Sequence, residues 1–455
     1  MADSTAHTRR SRWMTEYGMV LVLLLLVVSF SALTVTDTQN SGADAGRELA
    51  EAIQVMPAGR RVAIFTPKSV TGVQLAEALR DALGETPRRH EVVGTVHGSP
   101  PEVGKALRDW ETGIDVIACP NAVAAWSLIS EIKTNFPDLG GDCEIVTPVS
   151  YRWPAFLKPQ NVLNIAQQIS VIAIIAIGMT LVIITAGIDF SVGSLIGLAA
   201  VTSTVLIRDL AGAREAGTFG MLLCGFAGIA ACGACGFFSG VCVAAFRLPA
   251  FIVTLAMMLM ARGLAMTITD SQSVNEVPQA FGWLGAERTL GIPNSVILMF
   301  VLYAGAWFVM ARTRLGRHIY AVGGNVEAAR LAGVPVQRVQ LIVYTLCGLL
   351  AGLGGVIMAS KHKGVEPNFG MMDELTVIAA VVVGGTSLMG GQGKVLGTLI
   401  GAFIIAVIRN GMNQIGIPPN PQLIVMGAVI LGAILIDQVR LGKISWRDFR
   451  STFRG

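Results

Sequence analysis

The chain has 455 residues, of which 53% are hydrophobic and 14% charged, with a formal net charge of +4 and a mean hydropathy of +0.62. A water-soluble globule of this length does not stay dispersed with so apolar a composition, so lipid is the expected solvent for most of the chain. No basic tract suits DNA or RNA, which excludes nucleic acid as a partner.

In chain order, Arg9, Arg10 and Arg12 precede an apolar run from Tyr17 to Leu33, the layout of a signal peptide. The run is about 17 residues long, above the usual signal core and near the lower limit for spanning. Residues 1–37 therefore read as a cytoplasmic N-terminus with a retained first helix, a cleavable signal being the alternative.

Residues 38–158 carry the charge density of a soluble protein. They open on a polar linker, SGADAG, and from Arg61 alternate short apolar strands with amphipathic helices: RVAIFTP, VQLAEALRDALG, HEVVGTV, PEVGKALRDW, IDVIACP, AVAAWSLISEIKTNF and CEIVTP. That alternation predicts a small parallel sheet covered by helices. Cys119 ends one expected strand and Cys143 precedes the next. An external domain permits a disulfide, but these positions fall at opposite edges of such a sheet, beyond the roughly 7 Å between Cα atoms that a bridge allows.

From 159 to 438 the chain is apolar and divides into nine further expected spans: 162–186, 190–208, 218–246, 249–269, 293–311, 339–360, 373–389, 394–413 and 420–437. With the first, this predicts an all-α polytopic membrane protein of about ten transmembrane helices, carrying a small extracytoplasmic α/β insert domain. Cytoplasmic loops hold an excess of Lys and Arg. Both the loop 312–338 and the tail 439–455, with Arg440, Lys443, Arg447, Arg450 and Arg454, are basic, and the span count puts both inside. The insert then falls outside. Cys224, Cys232, Cys235, Cys242 and Cys347 lie within spans, where a thiol behaves as a small hydrophobe. The CGAC spacing of Cys232 and Cys235 has no second pair or nearby His to make a metal site.

The loop LGRHIYAVGGNVEAARLAGVPVQRV, Leu315 to Val339, is long, basic and patterned. Asn325 is placed to cap a helix over Asn325 to Ala332, Glu327 suits its positive first turn, and Gly333 with Pro335 ends it. Such a helix either sits in a groove of a separate ATPase and passes force to the membrane part, or is a solvated loop helix. Asp189, with Ser191 and Gly193, occupies a glycine-punctuated break between spans. An ionisable group there must face protein or water, either capping the next helix or meeting a solute. GGTSLMGGQGK, Gly384 to Lys394, reads as a tight turn at the cytoplasmic side. It is not a phosphate-binding loop, because Leu388 stands at the required first glycine and Val395 follows the lysine. No nucleophile with a base is visible, and His318 and His362 lack companions at metal spacing. Gln167, Gln168, Thr180, Arg262, Asn410 and Asn413 are polar positions within spans that either line a path or join helices.

TAGIDFSVGS at Thr185 to Ser194, LPAFIVTLAMMLMARGLA at Leu248 to Ala265, GRHIYAVGGNVEAARLAGVPV, and MDELTVIAAVVVGGTSLMGGQGKVLGTLIGAFIIAVIRNGMNQIGI occur in order. Together they resemble the permeases of ribose-type ABC importers over roughly Phe156 to Asp437. The resemblance implies a permease homodimer in the bacterial inner membrane and no cofactor, metal or catalytic residue in this chain. It also implies separate ATPase subunits that bind ATP and Mg, and an extracytoplasmic sugar-binding protein. The expected ATPase-coupling residues are Gly316, Arg317, Gly323, Asn325, Glu327, Ala328, Ala329, Arg330 and Gly333. Those expected in the translocation path or its gate are Asp189, Ser191, Gly193, Arg262, Thr386, Ser387, Asn410 and Asn413. The insert 38–158 departs from the family pattern and resembles one lobe of a periplasmic sugar-binding protein. One lobe does not close over a ligand by itself, so docking of a binding protein is the expectation, against a merely stabilising domain. An ion-gradient transporter would show paired acidic residues within spans, and only Asp189 approaches that. A membrane-anchored solute sensor would need an output domain after the last span.

Overall fold

The computed structural model describes residues 2–85, 90–140, 143–366 and 368–440, so the basic tail from 441 onward lies outside the described residues. The chain forms two compact units, Val35–Ala155 and the remainder, Met1–Thr34 with Phe156–Gly455. Helix α1 (Ala2–Leu33) opens the larger unit. Thr34 Oγ1 accepts a hydrogen bond from the Phe156 amide, and Phe30 stacks on Phe156, so the two stretches of that unit meet where the smaller one is inserted.

The smaller unit begins and ends on a two-stranded ribbon. Strand β1 (Val35–Thr38) pairs antiparallel with β6 (Tyr151–Pro154), so the chain enters and leaves side by side. Between them run α2 (Ala43–Gln54), β2 (Arg61–Thr66), α3 (Val70–Gly84), β3 (Glu91–His97), α4 (Pro100–Arg108) and β4 (Val116–Ala118). Four short helices follow, α5 (Asn121–Ala124), α6 (Ser127–Ser130), α7 (Ile132–Asn135) and α8 (Pro137–Gly140), and then β5 (Glu144–Val146). The sheet order is β3-β2-β4-β5, all parallel. Central β2 is apolar and buried on both faces, as a sheet covered on two sides requires. Leu49, Ile53, Leu75 and Leu79 from α2 and α3 fill one side, while Val103, Leu107, Ile129 and Ile132 fill the other. The stretch AVAAWSLISEIKTNF, expected as one helix, is broken at Trp126 and Glu131. Extended backbone at Trp126 (ψ 132°) turns the chain so that Val123, Ile129 and Ile132 all reach the core, which no single helix face would bring together. Cys119 and Cys143 are free, buried thiols, and burial raises them to about 12 and about 11.

The larger unit is helical: α9 (Pro159–Ile184), α10 (Val192–Asp209), α11 (Thr218–Ala244), α12 (Ala250–Ile268), α13 (Asn294–Arg312), α14 (Arg314–Gly324), α15 (Val326–Leu331), α16 (Val336–His362), α17 (Asp373–Val383), α18 (Val395–Gln414) and α19 (Pro419–Arg440). Among the described residues seven of these, α9 to α13, α16 and α18, are long and apolar enough to cross a membrane. The apolar parts of α1 and α19 are shorter, Gly18–Leu33 and Pro419–Leu435. Helix α9 is the central post, its apolar window 89% buried.

The expected span 373–389 is not a full crossing. Helix α17 has 11 residues, about 16 Å at the α-helical rise, roughly half the hydrocarbon thickness. It stops because Gly384 lies against the backbone of Gly397 and Gly385 turns into the left-handed region at φ 81°. Continuing the helix would drive side chains into α18.

Candidate functional site

The break after α9, from Thr185 to Ser191, is mostly small residues around one carboxylate. Helix α9 ends at Ile184, Ala186 adopts φ 61°, and the chain runs unwound to Ser191 before α10 begins. The Ile188 carbonyl in this stretch accepts from Thr254 Oγ1 at 3.2 Å. Asp189 is fully buried. Its Oδ1 accepts from the Ser191 amide at 2.9 Å and the Ser191 hydroxyl at 2.6 Å, the turn that starts a helix, and the N-terminal end of α10 favours the negative charge. Oδ2 has no partner of normal hydrogen-bond geometry, and the Cys347 thiol is the group beside it. Cys347 lies 11 residues along α16 from Val336 (347 − 336), about 16 Å from that helix start. Asp189 therefore sits about half a hydrocarbon thickness in from the loop end of α16.

The loop 312–338 holds two helices where one was expected. Thr313 caps α14, its hydroxyl accepting from the Gly316 amide at 3.4 Å. Gly316 and Ile319 face inward and Arg317 outward. Asn325 caps α15, Oδ1 accepting from the Ala328 amide at 2.9 Å. Glu327 and Arg330 form an exposed ion pair at 3.0 Å, worth little by itself. Ala329 is the buried residue of α15, and Gly333 closes the segment at φ 80°.

Three segments that are far apart in sequence meet here. A Cβ on Gly323 would lie 1.6 Å from the Ile184 carbonyl oxygen and 2.6 Å from the Gly391 nitrogen. The Gly391 amide donates to that same Ile184 carbonyl at 2.8 Å. One helical turn back, Tyr320 donates its hydroxyl proton to the Gly393 carbonyl at 2.7 Å. The turn Gly384 to Lys394 is thus wedged between the end of α9 and the end of α14, with left-handed Gly390 and Gly391 at its corner. Within it the Ser387 amide donates to the Gln392 carbonyl at 3.1 Å, and the Met389 amide donates to Ser387 Oγ at 3.3 Å. Thr386 is buried with its hydroxyl unpartnered. A cavity of about 310 Å³ opens beside the junction, lined among others by Thr185, Gly187, Arg247, Arg330, Gln340 and Tyr344.

The remaining positions divide between two uses. Arg262 Nε donates to Ser194 Oγ at 3.2 Å, one residue from Gly193, against which the Glu374 carboxylate is packed. Asn410 instead shares a reciprocal amide pair with Asn161, at 3.1 and 3.0 Å, and the Asn413 side-chain oxygen accepts from Gln422 Nε2 at 2.7 Å. Both amides join helices, as does Thr180 with Thr398 at 2.7 Å, while Gln167 ties α9 to the turn before α13 through the Gly285 carbonyl at 2.8 Å. Sequence reasoning missed Ser194, Tyr320 and Glu374. An acidic pair opening an apolar run, Asp373 and Glu374, was the available signal for the last. Among the described residues no group of three or more His, Cys, Asp or Glu forms a metal site.

The family described as branched-chain amino acid transport system / permease component matches residues 161–434. The chain is similar to the ribose import permease protein RbsC of Escherichia coli (strain K12), 45% identical over 297 residues, covering 64% of this chain and 90% of that protein. It is 38% identical over 296 residues to the protein of the same name from Bacillus subtilis (strain 168), covering 65% and 89%. To the xylose transport system permease protein XylH of Escherichia coli (strain K12) it is 34% identical over 344 residues, covering 62% and 86%. No solved structure matches it significantly.

Proposed function

The chain belongs to the branched-chain amino acid transport system / permease component family, and we propose that it is the transmembrane permease subunit of an ATP-driven importer for a monosaccharide. The sugar class follows the relatives' names, ribose and xylose. A family-level description naming amino acids is the weaker guide beside identities of 34% to 45%.

The observation that carries the mechanism is the backbone contact of Gly323 with Ile184 and Gly391. Separate ATPase subunits, which bind ATP and Mg, grip α14 and α15 by their exposed faces. Arg317, Asn325, Glu327, Ala328 and Arg330 are exposed there, and so is Leu331, at 90%. When the grip moves, the end of α14 carries the end of α9 and the turn 384–394 with it, because main chain touches main chain and no flexible side chain absorbs the motion. That motion reaches the unwound stretch from Thr185 to Ser191 and so changes the path around Asp189.

In this reading two copies of the chain line the path in the bacterial inner membrane, with both termini in the cytoplasm. The unit Val35–Ala155 then faces outward, where an extracytoplasmic sugar-binding protein docks and delivers solute. The test is purification in mild detergent with identification of co-purified subunits, followed by reconstitution and uptake of D-ribose, with L-leucine as the competing solute. ATP-dependent ribose uptake is expected. Uptake driven by an ion gradient without an ATPase would overturn the assignment.

A further inference from the structure

Two helices begin at the same place inside the larger unit, and their meeting leaves two opposite charges incomplete. Helix α10 starts at Val192 and α17 at Asp373. They meet at Gly193, where a Cβ would fall 2.5 Å from the carbonyl of Gly370, in the loop before α17, and 2.0 Å from the side-chain Oε2 of Glu374, in the first turn of α17. Only glycine at 193 lets this carboxylate approach so near. On the adjacent residue, Ser194 Oγ receives Arg262 Nε at 3.2 Å. Arg262 lies 12 residues into α12 from Ala250 (262 − 250) and six before its end at Ile268 (268 − 262), about 18 Å from one end of that helix and about 9 Å from the other.

Glu374 Oε2 and Arg262 Nη1 are both shielded from water and lack a hydrogen-bond partner. Neither residue belongs to an ion pair among the described residues. Nearby in sequence, Oδ2 of the fully buried Asp189, in the unwound approach to α10, has no partner of normal hydrogen-bond geometry and the Cys347 thiol beside it. Membrane proteins seldom leave polar groups unsatisfied at depth unless the groups serve a pathway, and transporter sites form where helices are interrupted.

We propose that Glu374 and Arg262 together hold the solute in transit, as the contact that recognises a neutral polyol. A carboxylate only accepts hydrogen bonds and a guanidinium only donates them, whereas a hydroxyl does both. A sugar diol therefore satisfies the pair, one hydroxyl donating to Glu374 and its neighbour accepting from Arg262. A lone cation or anion meets one attraction and one repulsion. A zwitterion would also satisfy both groups, so L-leucine belongs in the test.

This inference rests on the permease reading, and the experiment separates the two. The complete importer, with its ATPase and binding protein, is reconstituted as wild type, Glu374→Gln and Arg262→Lys. Uptake is measured for D-ribose, its 2-deoxy and 3-deoxy analogues, and L-leucine. The binding protein is common to every sample, so any change in the ratio of ribose to deoxyribose uptake belongs to the permease. Wild type is expected to prefer ribose. Glu374→Gln, which removes the charge and turns one acceptor oxygen into an NH2 donor, is expected to lower ribose uptake tenfold or more and to bring one ribose-to-deoxyribose ratio near one, because the weakened protein acceptor and the missing solute donor belong to the same bond. Arg262→Lys should alter the ratio for the neighbouring hydroxyl. If Glu374→Gln does not assemble, Glu374→Asp, which withdraws the carboxylate by one methylene, is read in the same way. Equal loss for ribose and every analogue, or ribose uptake within twofold of wild type, overturns the pair's role, and leucine as the transported solute overturns the assignment of a neutral polyol to it. No ATP-dependent uptake by wild type overturns the permease reading and this one with it.

Discussion

Gly323 and Ile184, residues 139 apart in the sequence (323 − 184), touch so closely that a Cβ at 323 would lie 1.6 Å from the Ile184 carbonyl oxygen. That oxygen already accepts from the Gly391 amide at 2.8 Å, so it has no room to retreat. Gly323→Ala must push α14 away from α9 and from the turn 384–394, at an overpacking cost of about 1–3 kcal/mol. The expected outcome is a variant that is inserted and still pulls down its ATPase, yet loses at least tenfold in ATP-driven uptake. Wild-type uptake by a well-folded Gly323→Ala protein would remove this contact from the coupling route.

Asn325 supplies the cap of α15, and its loss uncovers the first turn of a six-residue helix. Asn325→Ala should destabilise that helix by about 1 kcal/mol, enough to fray an element this short. The measurable result is weaker binding of the ATPase subunit, by roughly fivefold if the helix must be ordered to dock. Glu327→Gln removes only an exposed ion pair and should change the affinity by less than about twofold.

Asn410 is expected to matter for stability and not for solute. Its reciprocal bonds with Asn161 tie α18 to α9, and Asn410→Leu should cost about 0.5–1.5 kcal/mol, the range for hydrogen bonds between membrane helices. A lower melting temperature in detergent, with solute preference unchanged, is the predicted pair of readings. A changed ribose-to-deoxyribose ratio would return Asn410 to the path.

How much of this was legible beforehand follows from the range of each interaction. Local signals were readable: Asn325 as a cap, Gly333 as a stop, and the strand and helix alternation from Arg61 onward each depend on a few neighbouring residues. Long-range main-chain contacts were not, because a glycine that admits Ile184 looks the same in sequence as one that merely bends a loop. For the same reason hydropathy extended α17 to a full span. The expected span runs past Val383 to residue 389, but the helix ends at Val383, where Gly384 fits against Gly397 and Gly385 turns left-handed. Trp126 broke an expected helix for the benefit of a core assembled from several elements. Asn410 and Arg262 were indistinguishable as polar residues within spans, and their partners, Asn161 and Ser194, separate them.

In the unit Val35–Ala155, the Arg61 guanidinium beside Asp115, at 2.9 Å, holds that carboxyl down at about 2. The folded value lies below the ordinary 3.8, so the pair's stabilisation is complete above that ordinary value and is lost as pH falls through about 2. Hydrogen-exchange protection factors at β2 and β4 in the full chain, corrected for the intrinsic exchange rate at each pH, should therefore fall on acidification below pH 4. Asp115→Asn should flatten that response. An unchanged acid profile in Asp115→Asn would mean that other carboxylates govern the unit's acid sensitivity.

The inserted unit is expected to serve docking and not the folding of the helical unit. Its two ends are held together by the ribbon from Val35 opposite Pro154 to Thr38 opposite Tyr151, and within the larger unit the Phe156 amide bonds Thr34. Removing residues 46–151 and bridging the gap with a short Gly/Ser linker should therefore leave the helical unit able to fold. If the inserted unit docks the binding protein, the shortened chain still hydrolyses ATP with its partner, but half-saturation by the sugar-loaded binding protein rises tenfold or more while the maximal rate stays within about twofold. Such a split is what losing a docking surface produces, because binding is weakened and the transport step is not. A fall in maximal rate alone would make the unit part of the transport cycle. An unchanged half-saturation would leave it as a stabilising domain and remove the docking role.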